Sequence, residues 1–521
     1  SGKVYYFLNT TIPINKSGIE HAQIKRVNLF NRFDQPSKIV TRNFDPDSQR
    51  NLQAAGINPT NHVNLFDFLQ RTENFKNTTV RATDIKIPSG STRVVQGDGT
   101  TLVNDAKGRK TMLIETWPNE EQVSAVNYYD YANNLLRRER FDHRGFMSMA
   151  EIHNPTGATN VEQVFSPTGK LVYESFYTKD GSGEIKNSLI RVVDYNGQDY
   201  EFTGIMGLQR FFFDELNRVD DGKNVFIADR ATEMGWSLLH METKAFKVLF
   251  LHSAHTSNPK DIMDPILNNN FDFSLRNFKF WNGVINSTHQ QSSDLAQRFG
   301  ELGTKIYTIP VGVVSQELMD QPPVDFNLRT PGKIIVVARL FPEKRLDHII
   351  KAFQIVNQSI PFATLDIWGY GDGVTDPKLK QQVQDSGLSD SVFFKGYSDN
   401  IAFEMDQAQL SVLTSTVEGF ALAVLEAQSH GIPVVSYDIP YGPSDIIQND
   451  VSGKLVPDGD YHALAQAMID LLSNDDLLQK YSEAAYQNRT RFDEATVWQE
   501  WQALDDDAQA FFGNVKGGTL E

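Results

Sequence analysis

The sequence contains no cysteine among its 521 residues. This absence excludes disulfide bonds, thiolate nucleophiles and zinc sites built on cysteine. The sequence also lacks any apolar run as long as a membrane-spanning helix requires. Its first residues, SGKVYYFLNTTIPIN, contain no basic stretch followed by a hydrophobic one, as a secretory signal would. We therefore expect a cytoplasmic protein.

The sequence has fewer basic residues than acidic ones. The chain has 49 Lys and Arg residues against 66 Asp and Glu residues, which gives a formal net charge of −17. Such a balance disfavours general affinity for nucleic acid, so no nucleic-acid partner is expected. A local basic groove, and with it peripheral contact with a membrane, stays open. Hydrophobic residues make up 40% of the chain and charged residues 22%, which is typical of a folded globular protein.

The N-terminal segment has the pattern of a strand, a turn and a helix. The apolar run VYYFLN precedes a glycine-bearing turn, and Ile19, Ala22, Val27 and Phe30 then recur at helical spacing after Ser17, a predicted N-cap. From about residue 83 to 200 the pattern changes to short runs of aromatic and β-branched residues between glycine turns about a dozen residues apart. This spacing predicts antiparallel hairpins, and hence an inserted β-meander.

Beyond residue 200 apolar strands again alternate with helical segments, which predicts parallel sheets covered on both faces. The fold class is therefore α/β, with two Rossmann-like domains and a β insert in the first. The predicted boundaries are 1–82 and 201–320 for the two parts of the N-terminal domain, 83–200 for the insert, 321–495 for the C-terminal domain, and 496–521 for a final helix and tail. Ligands of such sheets bind at the carboxyl ends of the strands.

The segment TSTVEGFALAVLEAQSHGIPVV places two glutamates around an apolar helix. The strand LSVLTS is followed by the loop TVEG and a helix predicted over residues 420–430, closed by Gly431. Because the helix is apolar on all sides, we expect it to be buried, with Glu418 at its start and Glu426 two turns later. A structural ion pair plus a surface glutamate is the alternative. The backbone amides that open the helix form a predicted anion site, contributed by Gly419, Phe420 and Ala421.

Two further groups lie in strand-exit loops. VVARLFPEKRL places Arg339 and Lys344 directly after a strand, where two cations can neutralise a diphosphate. FLHSAHTSN places His252 and His255 at the end of a strand of the first half. Taken singly, each of these groups is as well explained by a solvated turn or a satisfied hydrogen bond.

Taken together, KSGIEHAQ, SAHTSN, ARLFPEK, FKGY and EGFALAVLE resemble the retaining GT-B glycosyltransferases of family four. The resemblance covers nearly the whole chain. It is closer to the Gram-positive branch with a β-rich insert, which includes wall teichoic acid α-glycosyltransferases and enzymes that attach N-acetylglucosamine to serine-rich adhesins. It implies two Rossmann-like domains facing across a cleft, and retaining transfer of glucose or N-acetylglucosamine from a UDP donor without a protein-bound metal.

The resemblance also implies roles for individual residues. Gly18 would let its loop approach the donor phosphate, and His255 would contact the transferred sugar. Arg339 and Lys344 would bind the diphosphate. Tyr397 would bind the uracil, Glu418 the sugar hydroxyls and Glu426 the ribose. The segment YGPSD, residues 441–445, recurs in this branch, but no role is assigned to it.

Several alternatives stay open. The acceptor is expected to be a serine hydroxyl of an extended protein, whereas a teichoic acid would need a basic groove. The candidates for that groove in the insert are Arg137, Arg138, Arg140, Arg144 and Lys170. An inactive substrate-binding subunit and a glycogen-synthase-like or sucrose-type enzyme are further alternatives. We also expect a homo-oligomer formed through the insert, and a paired glycosyltransferase-like subunit stays open. Two Asp-x-Asp segments, at 45–47 and 458–460, resemble a metal motif but are better explained as polar loops.

Overall fold

Apolar runs that precede glycine-bearing turns form strands throughout this protein. The computed structural model describes residues 3–219 and 221–513. Internal contacts divide the chain into two units, Ser1–Lys247 and Val248–Glu521, and each is described here by itself. The domain boundaries expected from the sequence stay predictions. Residues 514–521 of the predicted C-terminal tail lie outside the described residues.

The described residues of the first unit form a group of parallel strands, an antiparallel sheet and five α-helices. Its strands are β1 (Tyr5–Leu8), β2 (Ser37–Thr41), β3 (His62–Asn64), β4 (Thr92–Val95), β5 (Thr101–Asn104), β6 (Lys110–Thr116), β7 (Val123–Tyr129), β8 (Leu135–Asp142), β9 (Phe146–His153), β10 (Thr159–Phe165), β11 (Leu171–Lys179), β12 (Ile185–Tyr195), β13 (Gln198–Phe202) and β14 (Val225–Ala228). Its helices are α1 (Gly18–Arg32), α2 (Ser48–Ala54), α3 (Leu65–Gln70), α4 (Ile205–Val219) and α5 (Ala231–Leu239).

The parallel strands of this unit follow the order β14-β1-β2-β3. All four residues of β1 are buried, as expected for a central strand covered on both faces. Helix α1 begins after the predicted N-cap Ser17, and Glu20 completes a capping box. The ring of Phe30 on this helix packs edge-on against Phe7 of β1, with 5.2 Å between ring centroids. The predicted βα unit is therefore confirmed.

The inserted region forms one antiparallel sheet of ten strands, β4 to β13, each paired with its neighbours in sequence. A small core that includes Val103, Ile114 and Val126 stabilises one part of it. Its turns contain glycines with positive φ, a conformation that favours glycine. These glycines are Gly99, Gly108, Gly145, Gly157, Gly169, Gly183 and Gly197. The predicted β-meander is confirmed.

The second unit contains two groups of parallel strands. Its strands are β15 (Phe246–Phe250), which begins at the unit boundary, β16 (Gly283–Asn286), β17 (Lys305–Thr308), β18 (Lys333–Val337), β19 (Thr364–Trp368), β20 (Val392–Gly396), β21 (Leu410–Leu413), β22 (Val434–Tyr437) and β23 (Gly453–Val456). Its helices are α6 (Asp272–Arg276), α7 (His289–Phe299), α8 (Gln316–Asp320), α9 (Leu346–Ser359), α10 (Thr375–Asp385), α11 (Ala402–Gln407), α12 (Leu422–Ser429), α13 (Pro443–Ile446), α14 (Tyr461–Leu472), α15 (Asp475–Asn488) and α16 (Glu494–Gly513).

The larger sheet of this unit has the order β20-β19-β18-β21-β22-β23, and every pair is parallel. Helices α9 and α14 cover one face with a core that includes Ile350, Phe353, Leu464 and Met468. The order reverses between β18 and β21, so the loops that follow these two strands open beside each other. Among the described residues, no helix has both the length and the apolarity needed to cross a membrane. The α/β fold class is confirmed.

Candidate active site

A pocket of about 660 Å³ lies at the carboxyl ends of strands in the second unit. It brings together four of the predicted site residues, Arg339 and Lys344 after β18 and Glu418 and Gly419 after β21. The chain after β15 forms another part of its wall. The pocket is lined by Ser253, Ala254, Thr256, Ser257, Pro259, Ile266, Leu267, Asn268, Asn269, Asn270, Arg339, Glu343, Lys344, Val417, Glu418 and Gly419.

Lys344 and Glu418 form an ion pair at this pocket. The Lys344 Nζ donates to Glu418 Oε1 at 2.8 Å, and the Ser415 hydroxyl donates to the same oxygen at 2.7 Å. Both ionic side chains are about one-sixth exposed, at 17% and 16%. The other oxygen, Oε2, accepts no hydrogen bond from the described residues and is available to a ligand hydroxyl. The sequence left open an ion pair at Glu418, and the structure contains one, formed with Lys344.

The two loops that carry this pair are fixed to each other by a neighbouring arginine. Arg345 donates from Nε to the carbonyl of Thr414 at 2.8 Å and from Nη2 to that of Ser415 at 3.0 Å. Its guanidinium also pairs with Asp458 at 2.5 Å. The Thr414 hydroxyl in turn donates to the carbonyl of Lys344 at 2.8 Å. These bonds fix the loop after β18 to the loop after β21, and so set the positions of Lys344 and Glu418.

Arg339 lies exposed on the loop after β18, and its guanidinium sits 4.8 Å from the centroid of the Phe341 ring. Within the part of the chain that the structure describes, it forms no ion pair. Phe341 also begins a row of aromatic rings: its ring meets Tyr370 at 5.9 Å, and Tyr370 meets Tyr397 at 6.1 Å. The Tyr397 side chain is 67% exposed. The row of rings therefore connects Tyr397, the residue predicted to bind the uracil, to the loop of Arg339, which is predicted to bind the diphosphate.

The start of α12 approaches the loop after β15 very closely. A Cβ on Gly419 would lie 2.1 Å from the carbonyl oxygen of His252, so only glycine fits there. Ala421, the N-cap, is held at φ +71, a strained conformation for a residue with a side chain. Within the described residues, the backbone amides of Gly419, Phe420 and Ala421 donate no hydrogen bond to the protein. They are therefore available to an anion at the helix N-terminus.

The burial expected of Glu426 is wrong. Helix α12 buries Val424, Leu425 and Ala427 in an apolar core, whereas Leu422 and Glu426 are exposed. These two residues are four positions apart and so share one helix face. Apolar composition alone could not show that this face is left open to solvent. The ribose role of Glu426 stays a prediction.

His255 is buried in the loop between two pocket-lining residues, and its side chain is 1% exposed. Burial, helped by the positive charge of Arg298, lowers the pKa of His255 from 6.5 to about 4. The imidazole is therefore neutral at pH 7. Its Nδ1 lies 3.2 Å from the Gln291 Nε2, and its ring stacks on Tyr441 with 6.3 Å between centroids. Sequence reasoning missed Gln291, since nothing in the local pattern of α7 distinguishes it.

The segment YGPSD connects to the start of helix α7. The Tyr441 hydroxyl donates to Asp294 Oδ2 at 2.5 Å, and Asp445 Oδ1 accepts from the His289 amide at 2.6 Å. Burial and the bond to Asp294 raise the pKa of Tyr441, so its hydroxyl stays protonated. Packing between loop and helix, the explanation of this segment that requires no ligand, accounts for both contacts.

Gly18 belongs to the first unit, where it is the first residue of α1. A Cβ built on it would meet no protein atom within 4 Å, so the protein itself does not require glycine there. The role expected of Gly18, close approach to a phosphate, stays a prediction.

Neither Asp-x-Asp segment has the surroundings of a metal site. Asp458 pairs with Arg345 and Lys260, and Asp460 caps α14 by accepting from the Ala463 amide. In the first unit Asp47 pairs with Arg50. In residues 3–219 and 221–513, no group of three or more His, Asp or Glu side chains is arranged to hold a metal ion. The expectation of catalysis without a bound metal stays a prediction.

Known sequences resemble both the C-terminal region and the chain as a whole. Residues 323–488 match the family described as "Glycosyl transferases group 1". Over 95% of its length the chain is 25% identical to a poly(glycerol-phosphate) alpha-glucosyltransferase of Bacillus subtilis (strain 168), of which it covers 74%. Over 96% of its length it is 25% identical to the GtfA subunit of a UDP-N-acetylglucosamine–peptide N-acetylglucosaminyltransferase of Streptococcus gordonii, of which it covers 97%.

Solved structures share the fold. A chain of the GtfA/B complex superposes with a TM-score of 0.83 at 23% identity, covering 98% of this chain and 100% of that one. This likeness confirms the predicted GT-B fold. The protein is therefore a glycosyltransferase with the GT-B fold, and its residues 323–488 match the family of group 1 glycosyl transferases.

Proposed function

We propose that the protein transfers a sugar, N-acetylglucosamine or glucose, from a UDP donor to serine or threonine hydroxyls of a serine-rich cell-surface protein, with retention. The observation that carries the proposal is the pocket that joins Arg339, Lys344 and Glu418 beside the start of α12. The streptococcal relative is named for UDP-N-acetylglucosamine and a peptide acceptor. A cytoplasmic location is part of the same proposal.

The donor diphosphate is assigned to the cations and the helix start. Arg339 lacks a carboxylate partner within the described residues, and the amides of Gly419, Phe420 and Ala421 are open to an anion. Lys344 contributes a second positive charge, which its bond to Glu418 keeps at the pocket wall. Together they supply charge-assisted hydrogen bonds of the kind that phosphates take in proteins.

The sugar and the nucleoside are assigned to the remaining site residues. Glu418 Oε2 accepts a sugar hydroxyl, and His255 contacts the transferred sugar. Tyr397 holds the uracil and Glu426 binds the ribose. The role proposed for Gly18 is that its lack of a side chain lets its loop approach a phosphate closely. These roles follow the family resemblance, and the positions described above support those of Glu418 and Tyr397.

Retention follows from how the leaving group is held. As the bond between the sugar C1 and the diphosphate oxygen breaks, the acceptor oxygen bonds to C1 from the same face. The acceptor proton passes to the departing phosphate oxygen, so no separate base is needed. Arg339 and Lys344 stabilise the charge that develops on the diphosphate, which is the role that a metal ion fills in other transferases.

The insert favours an uncharged acceptor. Each of its five candidate basic residues is already paired with a carboxylate. The pairs are Arg137–Glu139 at 3.1 Å, Arg138–Glu115 at 2.9 Å, Arg140–Glu151 at 2.5 Å, Arg144–Asp142 at 2.7 Å and Lys170–Asp194 at 2.8 Å. A polyanion would have to displace these carboxylates, whereas a serine-rich peptide would not. Strand β4 lies at one edge of the sheet with Val94 and Val95 exposed, and this edge is the one proposed below for assembly.

A teichoic acid acceptor is the second candidate, because the Bacillus relative is named for poly(glycerol-phosphate). The GtfA/B complex is the basis for proposing a paired glycosyltransferase-like subunit, and the open edge of the insert is the basis for proposing a homo-oligomer. An inactive, purely substrate-binding role is not favoured, because the relatives with this architecture are named as transferases.

The acceptor is tested by direct competition. The full chain is offered a serine-rich peptide, poly(glycerol-phosphate) and poly(ribitol-phosphate), with UDP-glucose and UDP-N-acetylglucosamine supplied separately. We expect sugar transfer to the peptide, and UDP release that depends on it. Transfer to either polymer and never to the peptide would establish the second candidate instead.

A further inference from the structure

His255 and Gln291 form a buried pair whose hydrogen bonding has one consistent assignment. Both side chains are excluded from water, at 1% and 0% exposure. The Gln291 Nε2 lies 3.0 Å from the carbonyl oxygen of Ser253 and 3.2 Å from His255 Nδ1. Because a carbonyl oxygen only accepts hydrogen bonds, the amide nitrogen and not the amide oxygen must face Ser253.

The second hydrogen of this amide then determines the state of the imidazole. The NH₂ group of Gln291 has two hydrogens, and Ser253 takes one of them. The other meets His255 Nδ1, which must therefore be the nitrogen without a hydrogen. In a neutral imidazole the hydrogen is then on Nε2. Among the described residues, this Nε2 has no hydrogen-bond partner.

The ring is also held in its plane and kept neutral. Tyr441 stacks on it at an interplanar angle of 11°, and the hydroxyl of that tyrosine is fixed by Asp294. Gln291 and Asp294 are three residues apart on α7, so one helix supports both contacts. The charged groups on this helix are Asp294, bound to Tyr441, and Arg298, whose positive charge together with burial opposes protonation of His255.

We propose that Gln291 is a positioning residue that locks His255 in the Nε2–H tautomer, so that His255 donates a hydrogen bond to an oxygen of the bound sugar. This inference rests on the proposed function. It deepens that proposal, because it makes His255 a neutral donor and excludes its use as a base at Nε2. A sugar hydroxyl or ring oxygen that accepts this bond would satisfy a buried donor that has no partner among the described residues.

The tautomer can be measured without activity. The full chain is labelled with ¹⁵N-histidine, and the His255 signals are assigned by their loss in His255→Gln. At pH 7, without added donor, we expect a protonated Nε2 and an unprotonated Nδ1. Protonated and unprotonated ring nitrogens have well-separated ¹⁵N chemical shifts, so the spectrum distinguishes the two tautomers. In Gln291→Glu the carboxylate accepts from Nδ1, so the hydrogen moves to Nδ1 and Nε2 loses it. Gln290→Glu, on the exposed neighbouring position of the same helix, is the matched control and leaves the tautomer unchanged.

Kinetics supply the second readout. Loss of one neutral hydrogen bond to the sugar lowers kcat for UDP release about three- to tenfold in Gln291→Glu, while KM for the donor changes less. If that variant does not fold, Gln291→Met removes the lock without adding charge, and its His255 shows a mixture of tautomers. An unprotonated Nε2 in the wild type, or an unchanged tautomer in the folded variants, would overturn the proposal. The expected tautomer without any UDP-sugar turnover would instead overturn the proposed function.

Discussion

Replacing Glu418 with glutamine separates its assigned sugar contact from its part in the ion pair. In the ligand-free protein, Glu418 Oε1 accepts from Lys344 and Ser415, and Oε2 is available to the sugar. An amide in its place keeps one acceptor oxygen for Lys344 but presents a weaker, uncharged group to the sugar. A hydrogen bond to a charged group contributes about 1.5–3 kcal/mol. We therefore expect Glu418→Gln to lower kcat/KM roughly 10- to 150-fold.

Stability and nucleotide binding should change little. Partly exposed ion pairs contribute about 0.2–1 kcal/mol, and the amide retains part of this interaction, so the melting temperature should move by about 2 °C or less. Loss of the negative charge leaves Lys344 uncompensated, and UDP should therefore bind no more weakly than to the wild type. Turnover is followed by UDP release at varied donor concentration, and UDP affinity by calorimetry. Glu483→Gln, on the exposed face of α15, removes the same charge away from the pocket and is the control.

Two results would refute this reasoning. If kcat/KM of Glu418→Gln stayed within twofold of the wild type at saturating acceptor, the carboxylate would be structural. If activity, UDP affinity and melting temperature all fell together, the ion pair would be needed for the fold and the sugar contact would be unsupported.

Three other predictions address the metal, the insert and acid stability. Turnover should survive a strong chelator, because Arg339 and Lys344 supply the positive charge; loss of turnover with rescue by manganese would contradict this. Removal of residues 85–198 should lower the particle mass measured by light scattering, and Val95→Lys at the exposed edge strand should weaken self-association; an unchanged mass in both would refute assembly through the insert. Burial lowers the pKa of His62 to about 3 and that of His255 to about 4, so the folded state disfavours protons that the unfolded chain binds below pH 6.5. The melting temperature of the wild type should therefore fall as the pH drops from about 6.5 toward 4, and that of His62→Gln should fall less steeply. If both proteins lost melting temperature equally over this pH range, protonation of His62 would not be the cause.

Features encoded over a few neighbouring residues could be predicted from the sequence. The capping box that joins Ser17 and Glu20 starts α1 where its pattern indicates. The turn glycines of the insert have the positive φ that hairpins require. Arg339 and Glu418 lie at one pocket because the exits of parallel strands share a sheet edge.

Features that depend on distant partners could not be predicted. Lys344 and Glu418 are 74 residues apart, and Gln291 and His255 are 36 apart, so no local pattern reports either contact. The exposure of Glu426 depends on which helix face the core leaves open. Arg138 and Arg140 of the insert pair with carboxylates on other strands, and only the order and register of the sheet reveal these partners.

The stereochemistry of the product is the most direct test of whether the protein transfers a sugar from a UDP donor with retention. The full chain is incubated with UDP-N-acetylglucosamine, in which the sugar is α-linked, and a serine-rich peptide, and the anomeric configuration of the product is read by NMR. We expect peptide that carries an α-linked sugar, formed in step with UDP release, and no such product when Arg339 and Lys344 are both replaced by alanine. A β-linked product, or no UDP release with any of the peptide and polymer acceptors and either donor, would contradict it.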